Sequence, residues 1–249
     1  MRAAGLEGNV KFKVIAVISA ATALGLGLAG SAAASPLSHK PAPQVTGARL
    51  QAALLPASAF GDGFTVTQRL NSGNKLWSTR VNIKPSSLSC AGFELYRYVA
   101  GFGNTAGAMD SVGNPNPDFT NYPSIVLSGD QAVLQFKTAS AAASFYNLAY
   151  ARYQQCTAFT EPDPADSTQL ELTLRSLSTT TIGKNKAFQV NQLVDITALP
   201  ALSFYLNTAV VLSGANVYTI DDLNGTNDPV SVSLLGKLIN RVQALYPHH

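Results

Sequence analysis

Two side chains in these 249 residues can change their covalent state, Cys90 and Cys156, and little else in the sequence is equipped for chemistry. Outside a reducing cytosol two cysteines most simply oxidise to one disulfide, with a pair of free buried thiols as the alternative. Nucleophilic catalysis needs a histidine held within hydrogen-bond reach of a serine or cysteine. The three histidines are His39, in a proline-bearing stretch, and His248 and His249 at the end of the sequence, so none is placed for that work. No G-x-S-x-G elbow, H-E-x-x-H pair or Walker loop occurs. Glycoside hydrolysis needs two carboxylates facing across a cleft, and only Glu94 with Asp118 or Asp130 offers a pair; solvated surface carboxylates are the plainer reading. Residues 221–228 are oxygen-rich like a calcium loop, but Gly225 falls too early for the EF-hand register and no terminal glutamate follows. A turn leading into a helix cap accounts for them better. Asn224-Gly225-Thr226 is a glycosylation sequon, relevant only in a eukaryotic secretory pathway. The sequence therefore predicts no catalytic residue, no metal site and no cofactor.

Aromatic side chains offer binding rather than reaction. Trp77, Tyr96, Tyr98, Phe102, Phe119 and Tyr122 cluster in the first half of the domain, and Tyr96, Tyr98 and Phe102 share strand parity. Trp77, Tyr96, Tyr98, Phe102 and Tyr122 are the candidate lining of a ligand cleft. The competing reading is core with an amphipathic rim.

The amino terminus says where such a cleft would work. Arg2, Lys11 and Lys13 precede an uncharged apolar run over residues 14–30, and Ala32-Ala33-Ala34 forms a cleavage pattern before Ser35. Residues 1–34 read as an export signal, with retention as a membrane anchor the alternative. Cleavage removes three of the 17 basic and one of the 14 acidic side chains, leaving a formal charge of +1. So neutral a surface excludes an electrostatic footprint for nucleic acid or a polybasic patch for anionic lipid. Membrane contact then depends on whether the signal is kept.

The elements follow from periodicity. Residues 35–48, with Pro36, Pro41 and Pro43, read as a flexible linker, and residues 49–247 as one domain. Leu50, Ala53 and Leu54 recur at helical spacing before Pro56. Phe64, Val66 and Gln68 alternate, as do Trp77, Thr79, Val81 and Ile83, with a turn cluster at residues 71–74, so the pair reads as a hairpin. A further strand is expected over residues 94–102. Residues 104–122, rich in Gly, Asn and Pro, read as a long and potentially functional loop. Residues 125–136 read as a hairpin or bent strand. Thr138 is placed to cap a helix whose buried face is Ala142, Phe145, Ala149, Tyr153 and Cys156. Residues 161–166 form an acidic connector, and alternation resumes at Leu170-Leu172-Leu174 and from Phe188 to Ile196. Residues 204–212 and 217–220 flank a Ser213-Gly214-Ala215-Asn216 turn. Asp228-Pro229 opens a last helix with Leu235, Leu238, Ile239, Val242 and Leu245 on its buried stripe. Many hairpins and few helices make the chain α+β, an antiparallel sheet with helices on its faces.

Residues around the cysteines carry a resemblance. Gln131-Ala132-Val133-Leu134-Gln135-Phe136 runs into the small-residue helix start at 139–143, then Phe145-Tyr146 and Tyr153-Gln154-Gln155-Cys156. This resembles the PknH-like extracellular sensor domain, a family found outside actinobacterial Ser/Thr kinases and in free exported proteins. Cys90 after Pro85 matches the family's earlier cysteine, and residues 210–220 with the 228–246 helix resemble its final strand and helix, so the likeness spans residues 49–246. Two departures stand out: Tyr153 where Trp is common, and cysteines for one disulfide where the kinase-linked member has two. The resemblance implies a twisted antiparallel sheet flanked by helices, with a cleft for an unidentified ligand. The expected function is that of an exported, non-enzymatic, sensor-like domain binding a small ligand or envelope component. The alternative is a structural or adhesive envelope protein acting through its surface.

Overall fold

The structure, a computed structural model, describes residues 44–73, 90, 102–117, 126–162, 169–196, 203–227 and 231–246. Among these residues eight strands form one twisted antiparallel sheet: β1 (Thr65–Asn71), β2 (Asn104–Gly113), β3 (Val126–Phe136), β4 (Ala158–Pro162), β5 (Gln169–Ile182), β6 (Asn185–Ile196), β7 (Ser203–Ser213) and β8 (Asn216–Asn224). Their order across the sheet is β1-β2-β3-β8-β7-β6-β5-β4, so the late strands return by hairpins until β8 pairs with β3 at the centre. Helix α1 (Gly47–Ala53) and helix α3 (Ser231–Gln243) cover one face, and helix α2 (Ala139–Gln155) crosses the other, which gives three layers.

Side-chain alternation builds both cores from the same strands, because successive residues of a strand point to opposite faces. On β7, Ala209 and Val211 join the α1/α3 core while Val210 faces α2. On β8, Tyr218 and Ile220 take the first face and Val217 the second. A sheet buried on both sides therefore needs strands that are apolar at consecutive positions, and residues 209–211 and 217–218 are so.

Thr138 caps α2 as its sequence predicts, its hydroxyl accepting from the Ala141 N–H at 3.1 Å. Ala142, Phe145, Ala149 and Tyr153 are buried beneath the helix, with Tyr146 beside them. The Phe188 ring on β6 receives Tyr146, Tyr150 and Tyr153 at centroid distances of 5.1, 5.5 and 5.9 Å, inclined as ring quadrupoles prefer. Burial, with Tyr150 close by, pushes the Tyr146 phenol up to about 12, so it stays neutral.

Residues 104–113 correct the expected loop: they are β2, an interior strand. Their Gly, Ala and Ser content reflects close packing rather than turns. Ala106 and Ala108 lie under α1, where Gly47 comes so near that a Cβ would stand 3.0 Å from the Gly107 carbonyl and 2.7 Å from the Ser72 nitrogen. Small side chains on both surfaces let helix and strand meet, and composition alone reads as loop. Residues 125–136 resolve as the bent-strand alternative, with a register shift between Val126 and Ser128 and Gly129 pressed by the Phe60 ring.

The packed chain also begins earlier than residue 49. Val45 is buried, and Thr46 caps α1 through its side chain. Two glutamines on β3, both fully buried, hold this entering segment. Gln131 exchanges hydrogen bonds with the Leu55 backbone, accepting from its N–H at 2.8 Å and donating to its carbonyl at 2.7 Å. Gln135 accepts from the Val45 N–H at 3.0 Å. From the far end of the chain, Arg241 of α3 donates to the Ala53 carbonyl at 2.9 Å, an end group of α1 that lacks a helical partner. The hairpin partner expected at residues 77–83, the strand at 94–102 up to residue 101, and the Asp228-Pro229 helix start lie outside the described residues.

Candidate functional site

Cys90 and Cys156 are bonded, with Cα atoms 5.4 Å apart. Cys156 follows the last residue of α2 as its C-cap, its own N–H donating to the Arg152 carbonyl at 2.9 Å, and its side chain is buried. The bridge is a structural staple at a helix end.

Phe102 is the one member of the aromatic set among the described residues. It is half-buried and meets Phe145 edge-on at 5.6 Å, a packing position against α2. Trp77, Tyr96, Tyr98 and Tyr122 lie outside the described residues, as do Glu94, Asp118 and the three histidines. Asp130 stands on β3 directly opposite Asp221 on β8. Among the described residues no group of three or more His, Cys, Asp and Glu side chains is placed to hold a metal ion.

The first half of the oxygen-rich segment at 221–228 is not the turn its composition suggests, while residues 225–227 do bend and Asp228 lies outside the described residues. Asp221 to Asn224 continue β8, and the bend begins at Gly225. Asn224 is buried, and its amide donates to Asp222, so the sequon's acceptor nitrogen is sealed inside the fold.

Asp222 begins the most organised polar feature of the sheet. Asn191 on β6, Asn207 on β7 and Asp222 on β8 are direct cross-strand neighbours, and Ser176 on β5 extends the row. All three are buried. Asn191 Nδ2 donates to Asn207 Oδ1 at 2.7 Å, and Asn207 Nδ2 donates to Asp222 Oδ1 at 3.1 Å. α3 lies over β7 and β8, and α1 over β1 and β2, leaving the β5–β6 end of this face without a helix among the described residues. There a cavity of about 190 Å³ opens over Ser176, Ser178, Gln189, Asn191 and Asn207, with Asn227 on its rim. Among the described residues no charged one lines it. Alternation alone does not distinguish these positions. The usable signal is an asparagine on the inward parity of a strand that continues apolar, as Asn207 does ahead of Ala209 and Val211, since a buried amide must find a partner.

A second buried carboxylate has a different role. Asp110 on β2 accepts from Arg69 Nε at 3.1 Å, from Arg69 Nη2 at 3.2 Å and from Gln51 of α1. Its removal from water raises its pKa despite the arginine beside it. The folded state therefore binds this proton more tightly than the unfolded chain, and the group's contribution weakens as the pH rises through the raised value. In Asp110→Asn this term is absent. Urea unfolding at about pH 4 and pH 7 should show the variant gaining on the native chain toward neutrality; a constant difference would contradict it.

Neither a family model nor a curated protein matches the chain. Among solved structures it is similar to the extracellular domain of PknH from Mycobacterium tuberculosis, at 16% identity, covering 83% of this chain and 100% of that one, with a TM-score of 0.56. An uncharacterized protein from Mycobacterium smegmatis aligns at 12% identity over 75% of this chain and 92% of that one, with a TM-score of only 0.32. The first likeness bears on the fold: this disulfide-stapled, helix-flanked antiparallel sheet is PknH-like in architecture.

Proposed function

We propose that the chain is an exported, non-enzymatic, sensor-like domain that binds a small ligand in a cleft outside the cell membrane. The observation that carries this reading is a fold shared along the whole length of the extracellular domain of PknH. Two features of the chain support it. The Cys90–Cys156 bridge suits an oxidising compartment. The cavity on the β5–β6 end is lined mostly by hydrogen-bonding residues, with no nucleophile–base pair among those described, which suits recognition rather than turnover.

The partner in this reading is a small molecule or an envelope component, with no nucleic acid, and the membrane takes part only if residues 1–34 are retained. Native mass spectrometry of the protein purified from its own host is the test. A stoichiometric ligand mass that leaves on unfolding is the expected result. Hydrolytic turnover that disappears in Asp130→Asn would overturn the non-enzymatic reading.

A further inference from the structure

The hydrogen-bond row beneath the cavity has a fixed direction. Asn207 Nδ2 donates to Asp222 Oδ1, which also accepts from Asn224 Nδ2, so Asn207 turns its carbonyl oxygen toward β6. That oxygen accepts from Asn191 Nδ2, so the remaining atom of the Asn191 amide is an acceptor. Asn191 Oδ1 has no hydrogen-bond partner, although the residue is only 6% exposed and lines the cavity. An acceptor withdrawn from water and left unpaired marks a place where a donor is missing.

We infer that this cavity receives one neutral, sugar-sized polyhydroxyl group, with a hydroxyl donating to Asn191 Oδ1 and others meeting Ser176, Ser178 and Gln189. The inference rests on the ligand-binding reading above and gives its site and chemistry. Charge among the described residues argues against the ionic classes. An anion would meet no cation among the lining residues described, and Asp222 lies one amide behind them. A cation would find no carboxylate among them to offset its lost hydration. An apolar group would leave the serines and amides without partners. A hydroxyl donates and accepts at once, which suits a floor holding one fixed acceptor beside groups that can do either. The volume of about 190 Å³ falls below the roughly 300–1,000 Å³ of clefts that enclose drug-sized ligands. One ring fits, and the rest of a longer glycan would lie in solvent.

The test uses the exported chain labelled with nitrogen-15, titrated with neutral hexose and N-acetylhexosamine oligosaccharides. The comparison probes are the matching uronic acids and tetraalanine. Saturable shifts of the Asn191, Asn207 and Gln189 side-chain amides with a neutral saccharide are expected. Affinity should fall at least about tenfold in Asn191→Ala, a loss near 1.4 kcal/mol. Ser178→Glu should fall as far; Ser178 is exposed, so this second variant places a charge in the cavity without disturbing the buried row. Shifts from a uronate or the peptide alone, or saccharide binding untouched by both variants, would overturn the inference. A co-purifying ligand that is charged or apolar would remove this assignment and leave the sensor-like reading standing. Silence from every probe together with no co-purifying ligand would remove both.

Discussion

Breaking the Cys90–Cys156 bridge should lower stability toward unfolding by about 4 kcal/mol, because the bond closes a long loop in the unfolded chain. The cysteines are 66 residues apart in sequence, and the loop they close contains β2, β3 and all of α2. Freed from the bridge, the unfolded ensemble gains entropy that the native state does not. The native cost of losing it is small, since Cys156 keeps its backbone bond to Arg152 and its buried seat at the end of α2. Urea titration of the native chain with and without reductant, and of Cys156→Ala, reads the effect. The midpoint should drop in both cases, by similar amounts, because each removes the same cross-link. A shift below about 1 kcal/mol would mean that the unfolded chain already keeps these segments close without the bond, and would overturn the loop-entropy account.

The elements that sequence reveals here are those whose local chemistry has one meaning. Thr138 ahead of an Ala-rich run reads as a cap, and Gly214 between two alternating segments reads as a hairpin turn; Gly214 has φ +58° in the structure, in the region that favours glycine. The cysteine pairing was legible because the chain has only two. Residues 104–113 mislead because Gly and Ala serve two purposes, bending a chain or letting a helix approach it, and only the neighbour decides which. Asp221 to Asn224 mislead for a related reason. Acidic and amide side chains favour turns, yet here two of them point into the fold, where the amides of Asn207 and Asn224 satisfy a buried carboxylate. The candidate cavity draws Ser176, Asn191 and Asn207 from three strands, and their adjacency exists only once the registers of β5, β6 and β7 are set. Residues spaced 15 and 16 apart along the chain carry no local sign that they touch.

Gln131 is where local sequence and tertiary structure are most tightly joined, and Gln131→Leu should be among the most damaging single changes to the core. The side chain is fully buried, of nearly the same volume as leucine, and faces the α1/α3 core, so hydrophobicity alone would favour the replacement. Polar accounting predicts the reverse. The substitution removes both partners of the Leu55 backbone, an N–H and a carbonyl held at 2.8 and 2.7 Å, and leaves them buried. Each such orphan costs about 1–3 kcal/mol, so a loss of about 4 kcal/mol is expected for the pair. Gln131→Asn separates chemistry from reach: it keeps the amide but is one methylene shorter, so it should lose most of the same energy. The damage should be directional as well. With Leu55 released, α1 and Phe60 lose an anchor on β3, and hydrogen exchange should accelerate at Leu50 and Leu54 more than at Phe145 under α2. Uniform acceleration across both faces, or a stability loss below about 1 kcal/mol, would show that apolar packing holds the entering segment and that the glutamine only accompanies it.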